Sequence, residues 1–248
     1  MRYFIELSYN GKDYHGWQNQ PNAITVQSVV ENALSKLLRN DITIVGAGRT
    51  DTGVHAKQMF AHFDTLEEID TNFLTLKLNA FLPKTIAIHN IHKVKNNAHA
   101  RFDALSRCYI YKINTHKDVF IFDNSYYFNK ELNIDILQSA CDILFKYKDF
   151  KCFSRTHTDV KTYLCEIMSA SWSKTEDECL IFKIKADRFL RNMVRAIVGT
   201  MLEIGIGKKS LEDLHAIIAS RDRSTAGPSA PAHALYLTKI EYPKDTFI

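Results

Sequence analysis

A chain of 248 residues, 46% hydrophobic and 24% charged, can bury two ordinary cores and has the balance of a folded globular protein, not a disordered or fibrous one. Nine Gly and five Pro exclude a collagen-like or linker-dominated architecture. The net charge of +4 is carried wholly by Leu180–Arg223, where nine Lys or Arg face five acids; this favours a phosphate-rich partner, with an ordinary solvated basic face as the competing reading.

In chain order, Arg2–Tyr9 alternates as a strand and Asn10-Gly11 marks a turn. Thr25 suits an N-cap, and Val26, Val29, Val30, Ala33, Leu34, Leu37 and Leu38 recur at helical spacing after it. A short strand, Ile42–Val45, leads into the segment Gly46–Ala56, and Lys57–Phe63 returns as a strand. A helix over Ile69–Ala80 and a strand over Ile86–Lys95 complete a first α/β half. The second half has a strand over Arg107–Asn114, a helix over Ile134–Phe145, and strands over Thr162–Ser173 and Glu178–Ala186. Helices over Phe189–Glu203 and Ser210–Ser220 follow, then a loop with Gly227, Pro228 and Pro231, and a closing strand over Ala234–Tyr242. The fold class is α/β in the α+β sense. Two halves, 1–104 and 105–248, share a largely antiparallel mixed sheet, because hairpin-like successions of strands disfavour a doubly wound parallel one.

The least polar long stretch, Met193–Gly207, is interrupted by Arg195 and Glu203 and is too short to span a bilayer, so no membrane association is expected. The start of the chain reads as a strand with no signal-peptide run, which makes the cytoplasm the default location. The five cysteines are scattered and include no C-x-x-C, as expected of buried thiols in a reducing compartment. His89 and His92 sit in a strand-like run without a matching Cys or carboxylate cluster, so no metal is expected.

The segment Gly46-Ala-Gly-Arg-Thr-Asp-Thr-Gly-Val-His-Ala56 stands apart, with three of the nine glycines within eight residues. It fails the P-loop pattern, which needs Lys then Ser or Thr after the last Gly. It also fails the dinucleotide fingerprint, which needs Gly where Asp51 stands. What remains is a tight loop whose glycines open backbone conformations closed to other residues, holding Asp51 near the guanidinium of Arg49. A carboxylate beside a cation stays ionised and can act as nucleophile or base; the bland alternative is a Gly-rich turn with Asp51 bonding its own backbone. Arg188, Arg191 and Arg195 are spaced i, i+3, i+7, which places three guanidiniums on one helical face. Arg195 is flanked by Met193, Val194, Ala196, Ile197 and Val198. A charge there calls for a carboxylate partner, because breaking a buried pair costs on the order of 3–5 kcal/mol, and Asp51 is a candidate. Tyr109 and Tyr111 alternate on a strand, where core packing and stacking on an unpaired base are both open.

At these residues the sequence resembles the tRNA pseudouridine synthase A family. The loop Gly46–Ala56 matches that family's signature almost throughout, with Thr52 where Ala is frequent. Tyr14-His-Gly-Trp-Gln18, Pro21-Asn22, Thr25-Val-Gln27, His99-Ala-Arg-Phe102, Asp149-Phe150 through Phe153, Phe189 through Val198-Gly199, and Ala230-Pro231 through Leu237 follow in order. The resemblance implies a pseudouridine synthase fold with a central active-site cleft. It also implies a cofactor-free isomerase that converts uridine to pseudouridine at positions 38, 39 and 40 of the tRNA anticodon arm, working as a homodimer. It assigns Asp51 as nucleophile, Tyr109 as the ring that stacks on the target uracil, Arg195 as the partner of the catalytic carboxylate, and Arg49 to the space or phosphate of the flipped nucleotide. Arg188, Arg191, Lys208 and Lys209 would hold RNA. Cys108 stands where an Arg is frequent, which removes one phosphate contact.

Overall fold

The computed structural model describes residues 1–156 and 160–248, in two compact units. Nine strands and five α-helices are present among the described residues, and most strand pairs are antiparallel.

The first unit takes Met1–Ser106 together with Tyr236–Ile248. Its strands are β1 (Arg2–Tyr9), β2 (Val45–Gly46), β3 (His55–Asp64), β4 (Ile86–Val94) and β9 (Leu235–Glu241, all but its first residue). They run in the order β4-β1-β3-β9, with β2 on β3. β1 is antiparallel to both neighbours, while β9 pairs with β3 in parallel through His55–Tyr236 and Ala56–Leu237. The closing strand therefore belongs with the N-terminal half.

Helix α1 (Val26–Leu38) occupies the span its periodicity marks, and its start explains why. The Thr25 side chain accepts from the Ser28 amide and the Ser28 hydroxyl accepts from the Thr25 amide, closing a reciprocal cap. Helix α2 (Thr71–Phe81) begins two residues later than its apolar pattern because Asp70 caps it through the Phe73 amide. The expected strand at Ile42–Val45 shrinks to β2. The Ile42 amide donates to Ser35 Oγ, the Ile44 amide donates to Glu31 Oε1, and Gln27 Nε2 donates to the Ile44 carbonyl, each at 2.9 Å. Helix side chains have taken the bonds a ladder would need.

Strand β1 contributes buried side chains to both faces of this sheet. Tyr3, Ile5, Leu7 and Tyr9 point one way, and on the other Phe4 meets the rings of Phe60, His62, Tyr242 and Phe247. His62 is enclosed there, with Nδ1 accepting the Ala100 amide at 3.2 Å and the His99 ring 4.6 Å away. Burial, then the nearby Arg2 charge, lowers its pKa to about 4. The unfolded chain takes up this proton near pH 6.5 and the folded chain resists it to about 4, so stability falls as pH drops through that window, by on the order of 3 kcal/mol. Urea unfolding at pH 7.5 and 4.5 should show that loss, and His62→Asn, which keeps an acceptor for Ala100, should shrink it.

The second unit, Arg107–Leu235, holds β5 (Ser106–Asn114, all but its first residue), β6 (Tyr126–Tyr127), β7 (Ile167–Lys174) and β8 (Leu180–Ala186). β8 lies between β5 and β7, antiparallel to both, and β6 adds to β5 in parallel. β7 starts five residues after the expected Thr162, because 162–166 is engaged elsewhere: Phe150 donates to the Tyr163 carbonyl and Cys165 to that of Lys148. Helix α3 (Ile134–Leu144) packs on β7 and on helix α4 (Met193–Gly205), while α5 (Leu211–Ser220) packs on α3. A second reciprocal cap, Ser210 with Asp213, starts α5. Phe150 and Phe153 are fully buried and stacked, so the block they mark is core.

All five cysteines are thiols, four of them buried, and burial pushes Cys141, Cys152 and Cys165 up to about 12, where they are protonated and unreactive. His89 Nε2 lies 2.9 Å from Ser8 Oγ and His92 Nε2 3.7 Å from Glu6 Oε2. Among the described residues no group of three or more His, Cys, Asp or Glu is placed to hold a metal, and no helix is long and apolar enough to cross a membrane.

Candidate active site

In the first unit, the chain leaves β2 at Gly46 and enters β3 at His55, and the intervening loop is fixed from behind. The Ala47 amide donates to the Phe60 carbonyl at 2.8 Å. Thr50 is buried, with its hydroxyl 2.8 Å from that of Tyr9 and its carbonyl accepting from the Trp17 amide at 3.2 Å. The Val54 amide donates to the Asp51 carbonyl at 3.1 Å, closing a turn whose third residue, Gly53, has φ +79° as a type II turn requires. His55 is buried, accepts the Gly11 amide on Nδ1 at 3.0 Å and stacks on Tyr236, ring centres 4.6 Å apart.

The brace is therefore the segment 11–18. Gly16, at φ +86°, lets the main chain lie against Thr50, and Tyr14 accepts from the Gly53 amide. Residues on both sides of Asp51 are immobilised, while Asp51 is half-buried and Arg49 and Thr52 are exposed. A main-chain turn is present, as the bland reading expected, but it is closed by the Asp51 carbonyl.

The three loop glycines have different causes. A Cβ at Gly46 would collide with the Trp17 indole, Gly53 needs its left-handed backbone, and a Cβ at Gly48 would meet nothing. The expectation that all three open forbidden conformations holds for Gly53 alone. Thermal unfolding should show Gly46→Ala destabilised by about 1–3 kcal/mol through overpacking. Gly53→Ala should lose about 1–2 kcal/mol through its backbone, and Gly48→Ala should stay within about 0.5 kcal/mol.

In the second unit, Tyr109 on β5 pairs with Ile184, is half-buried, and meets Phe189 edge-on with ring centres 5.1 Å apart. Tyr111, on the same face, is fully buried and donates to the Pro231 carbonyl at 2.9 Å; burial drives its hydroxyl pKa far up. The two tyrosines separate: Tyr111 is core, and Tyr109 keeps an accessible edge. Cys108 is buried, so it offers no surface to a phosphate.

Arg195 lies in the first turn of α4, half-buried. Its Nε donates to the Ala230 carbonyl at 2.7 Å, and its own carbonyl accepts the Ala230 amide at 2.9 Å. Gly199, one turn on, lets the Pro228 carbonyl lie against the helix where any Cβ would clash. The blocks around Val198-Gly199 and Ala230-Pro231 thus form one packed element that aims Arg195.

Arg188, Arg191 and Arg195 do not share one helical face. Asn192 has φ +68°, outside right-handed helix, so α4 starts at Met193, after both Arg188 and Arg191. Those two lie in the β8–α4 connection. The Arg191 carbonyl accepts from Arg155, and Asn192 Nδ2 donates to Ser229 Oγ at 2.7 Å. Lys208 and Lys209 converge on the Glu203 carboxylate, at 2.5 and 3.7 Å, so one of their two charges is offset internally. Asp51 and Arg49 belong to the first unit; Tyr109, Arg188, Arg191, Arg195, Lys208 and Lys209 belong to the second. Segment 11–18 was visible as a motif but not as a brace, since close approaches at glycines leave no periodic signal.

Comparison with known proteins places these residues in a family context. The family described as tRNA pseudouridine synthase matches residues 7–103 and 147–243. Arg49, Asp51 and Arg195 fall within the matched residues, whereas Tyr109 falls between them. A Parabacteroides distasonis protein named tRNA pseudouridine synthase A is 51% identical, covering 99% of this chain and 98% of its own. Proteins of the same name from Bacteroides thetaiotaomicron (50%; 100% of this chain, 93% of theirs) and Bacillus pumilus (37%; 98% and 99%) are similar over the same length.

Proposed function

The chain belongs to the tRNA pseudouridine synthase family, and from that premise we propose that it isomerises uridine to pseudouridine in the tRNA anticodon arm, at positions 38, 39 and 40, with Asp51 as the catalytic nucleophile. The observation that carries this reading is the half-exposed Asp51 on a loop whose backbone is held at Thr50 and Val54, beside an exposed Arg49. A carboxylate fixed in this way meets its target without reordering at the moment of reaction.

The chemistry conserves every atom. The N1–C1′ bond breaks, the uracil turns, a C5–C1′ bond forms, and the proton on C5 is lost while N1 gains one. No group donor and no net oxidation is needed, so the reading includes no cofactor. C1′ is hidden in a stacked arm, and the nucleotide must swing out at a cost of a few kcal/mol. Stacking on Tyr109, worth about 1–3 kcal/mol per base, offsets much of that. The Tyr109 hydroxyl assists the transfer of the C5 proton, Arg195 orients the catalytic carboxylate, and Arg49 fills the space or holds the phosphate left by the flipped nucleotide. Arg188, Arg191, Lys208 and Lys209 track the RNA backbone. The acting species is a homodimer in the cytoplasm.

Pseudouridine mapping on unmodified tRNA tests the reading. The protein should create pseudouridine at 38–40 only, and sites confined to other arms would overturn the assignment. Binding should weaken steeply between 50 and 200 mM salt, as for about 6–10 phosphate contacts, and a flat salt response would count against the basic surface.

A further inference from the structure

The block His99-Ala-Arg-Phe102 has no part in the chemistry above, yet it forms an unusually constrained turn. The Ala98 carbonyl accepts Arg2 Nη1 at 2.9 Å, the Ala100 amide donates to His62 Nδ1 at 3.2 Å, and the Ala100 carbonyl accepts the Tyr242 hydroxyl at 2.5 Å. His99 Nδ1 accepts the amides of both Arg101 (3.1 Å) and Phe102 (3.3 Å), while Asp103 Oδ2 accepts the His99 amide at 2.7 Å. Three partners, Arg2, His62 and Tyr242, come from other parts of the first unit.

This clamped backbone presents the Phe102 ring at the surface. Phe102 is 73% exposed. The His99 imidazole lies 4.3 Å from it at 35°, and the Arg101 guanidinium 5.5 Å from its centre. The bonds to Ala98, Ala100, Arg101 and Phe102 fix the main chain from which this ring projects. A rigid aromatic backed by a second ring and set between Arg101 and Asp103 is poorly suited to a broad apolar protein contact. It matches what stacks a nucleobase in a sequence-tolerant way, with the guanidinium adding cation–π attraction and reach to a phosphate.

We propose that the Arg101–Phe102 turn is a second RNA contact, in which Phe102 stacks on an unpaired nucleobase of the substrate other than the uridine that reacts. The proposal rests on the tRNA-isomerase reading. Phe102 touches no reacting atom; it sets where the tRNA lies.

Steady-state isomerisation of full-length tRNA by wild type, Phe102→Ala and Phe102→Trp tests it, with thermal unfolding and sedimentation of each. Wild-type conversion of uridine comes first, and its absence would end the underlying reading itself. With an active wild type, Phe102→Ala should raise KM about 10-fold, within the range of one lost base stack, with kcat within about twofold and an unchanged unfolding temperature. Phe102→Trp should restore KM. Chemical probing should show an unpaired base shielded by wild type and open with Phe102→Ala. An unaltered KM in Phe102→Ala would overturn the proposal while leaving the isomerase intact. A raised KM that accompanies a smaller sedimenting species would also overturn it, by making the ring a contact between copies of the chain.

Discussion

Asp51→Asn should abolish pseudouridine formation, lowering the single-turnover rate on tRNA by at least about four orders of magnitude, as removal of a nucleophile from an interdependent site does. The change keeps shape and removes charge. The loop is braced through Thr50, Gly53 and Val54, bonded to Tyr9, Trp17, Tyr14 and the Asp51 main-chain carbonyl, so the variant should fold and still bind tRNA. Retained binding with lost chemistry separates a catalytic role from a structural one. Activity within tenfold of wild type would remove Asp51 from the mechanism.

Tyr109 should show a graded response. Tyr109→Phe keeps the ring against Phe189 and removes only the hydroxyl, so the C5 proton transfer loses its assisting group and the rate should fall about 10²–10⁴-fold. Tyr109→Leu loses the stacking surface as well, and tRNA affinity should drop a further roughly 5- to 150-fold, the equivalent of about 1–3 kcal/mol. The contrast with Tyr111→Phe is informative. Tyr111 is buried and bonded to the Pro231 carbonyl, so its loss should appear in the unfolding temperature and not in the chemical step. If Tyr109→Phe reacts at the wild-type rate, the hydroxyl does not assist the proton transfer.

The parts legible in the sequence are those decided locally. Thr25 and Ser28 close their cap within four residues, so α1 is found at its expected place, and the alternation of Arg2–Tyr9 needs only a sheet of either kind. The parts that shifted were decided by distant partners. Ile42 and Ile44 look like a strand until Ser35 and Glu31 take their amides. Phe189–Asn192 carries helical spacing, yet Asn192 turns left-handed, which separates Arg188 and Arg191 from the face of Arg195. Lys208 and Lys209 look like free cations because Glu203 lies five and six residues away, beyond any local pairing rule. At the candidate site, the residue types and their spacing were plain, whereas the brace of Gly11, Gly16 and Trp17 behind Thr50 was not. Close main-chain approach at a glycine depends on what arrives from elsewhere.

Uridine should be converted in place, without release of the base. Unmodified tRNA incubated with the protein, then digested and resolved as nucleosides alongside the free-base fraction, tests it most directly. Uridine lost and pseudouridine gained should match in amount, with no free uracil. Free uracil in place of pseudouridine would make the protein a hydrolase, and unchanged uridine despite tight binding would make it a tRNA-binding protein without chemistry.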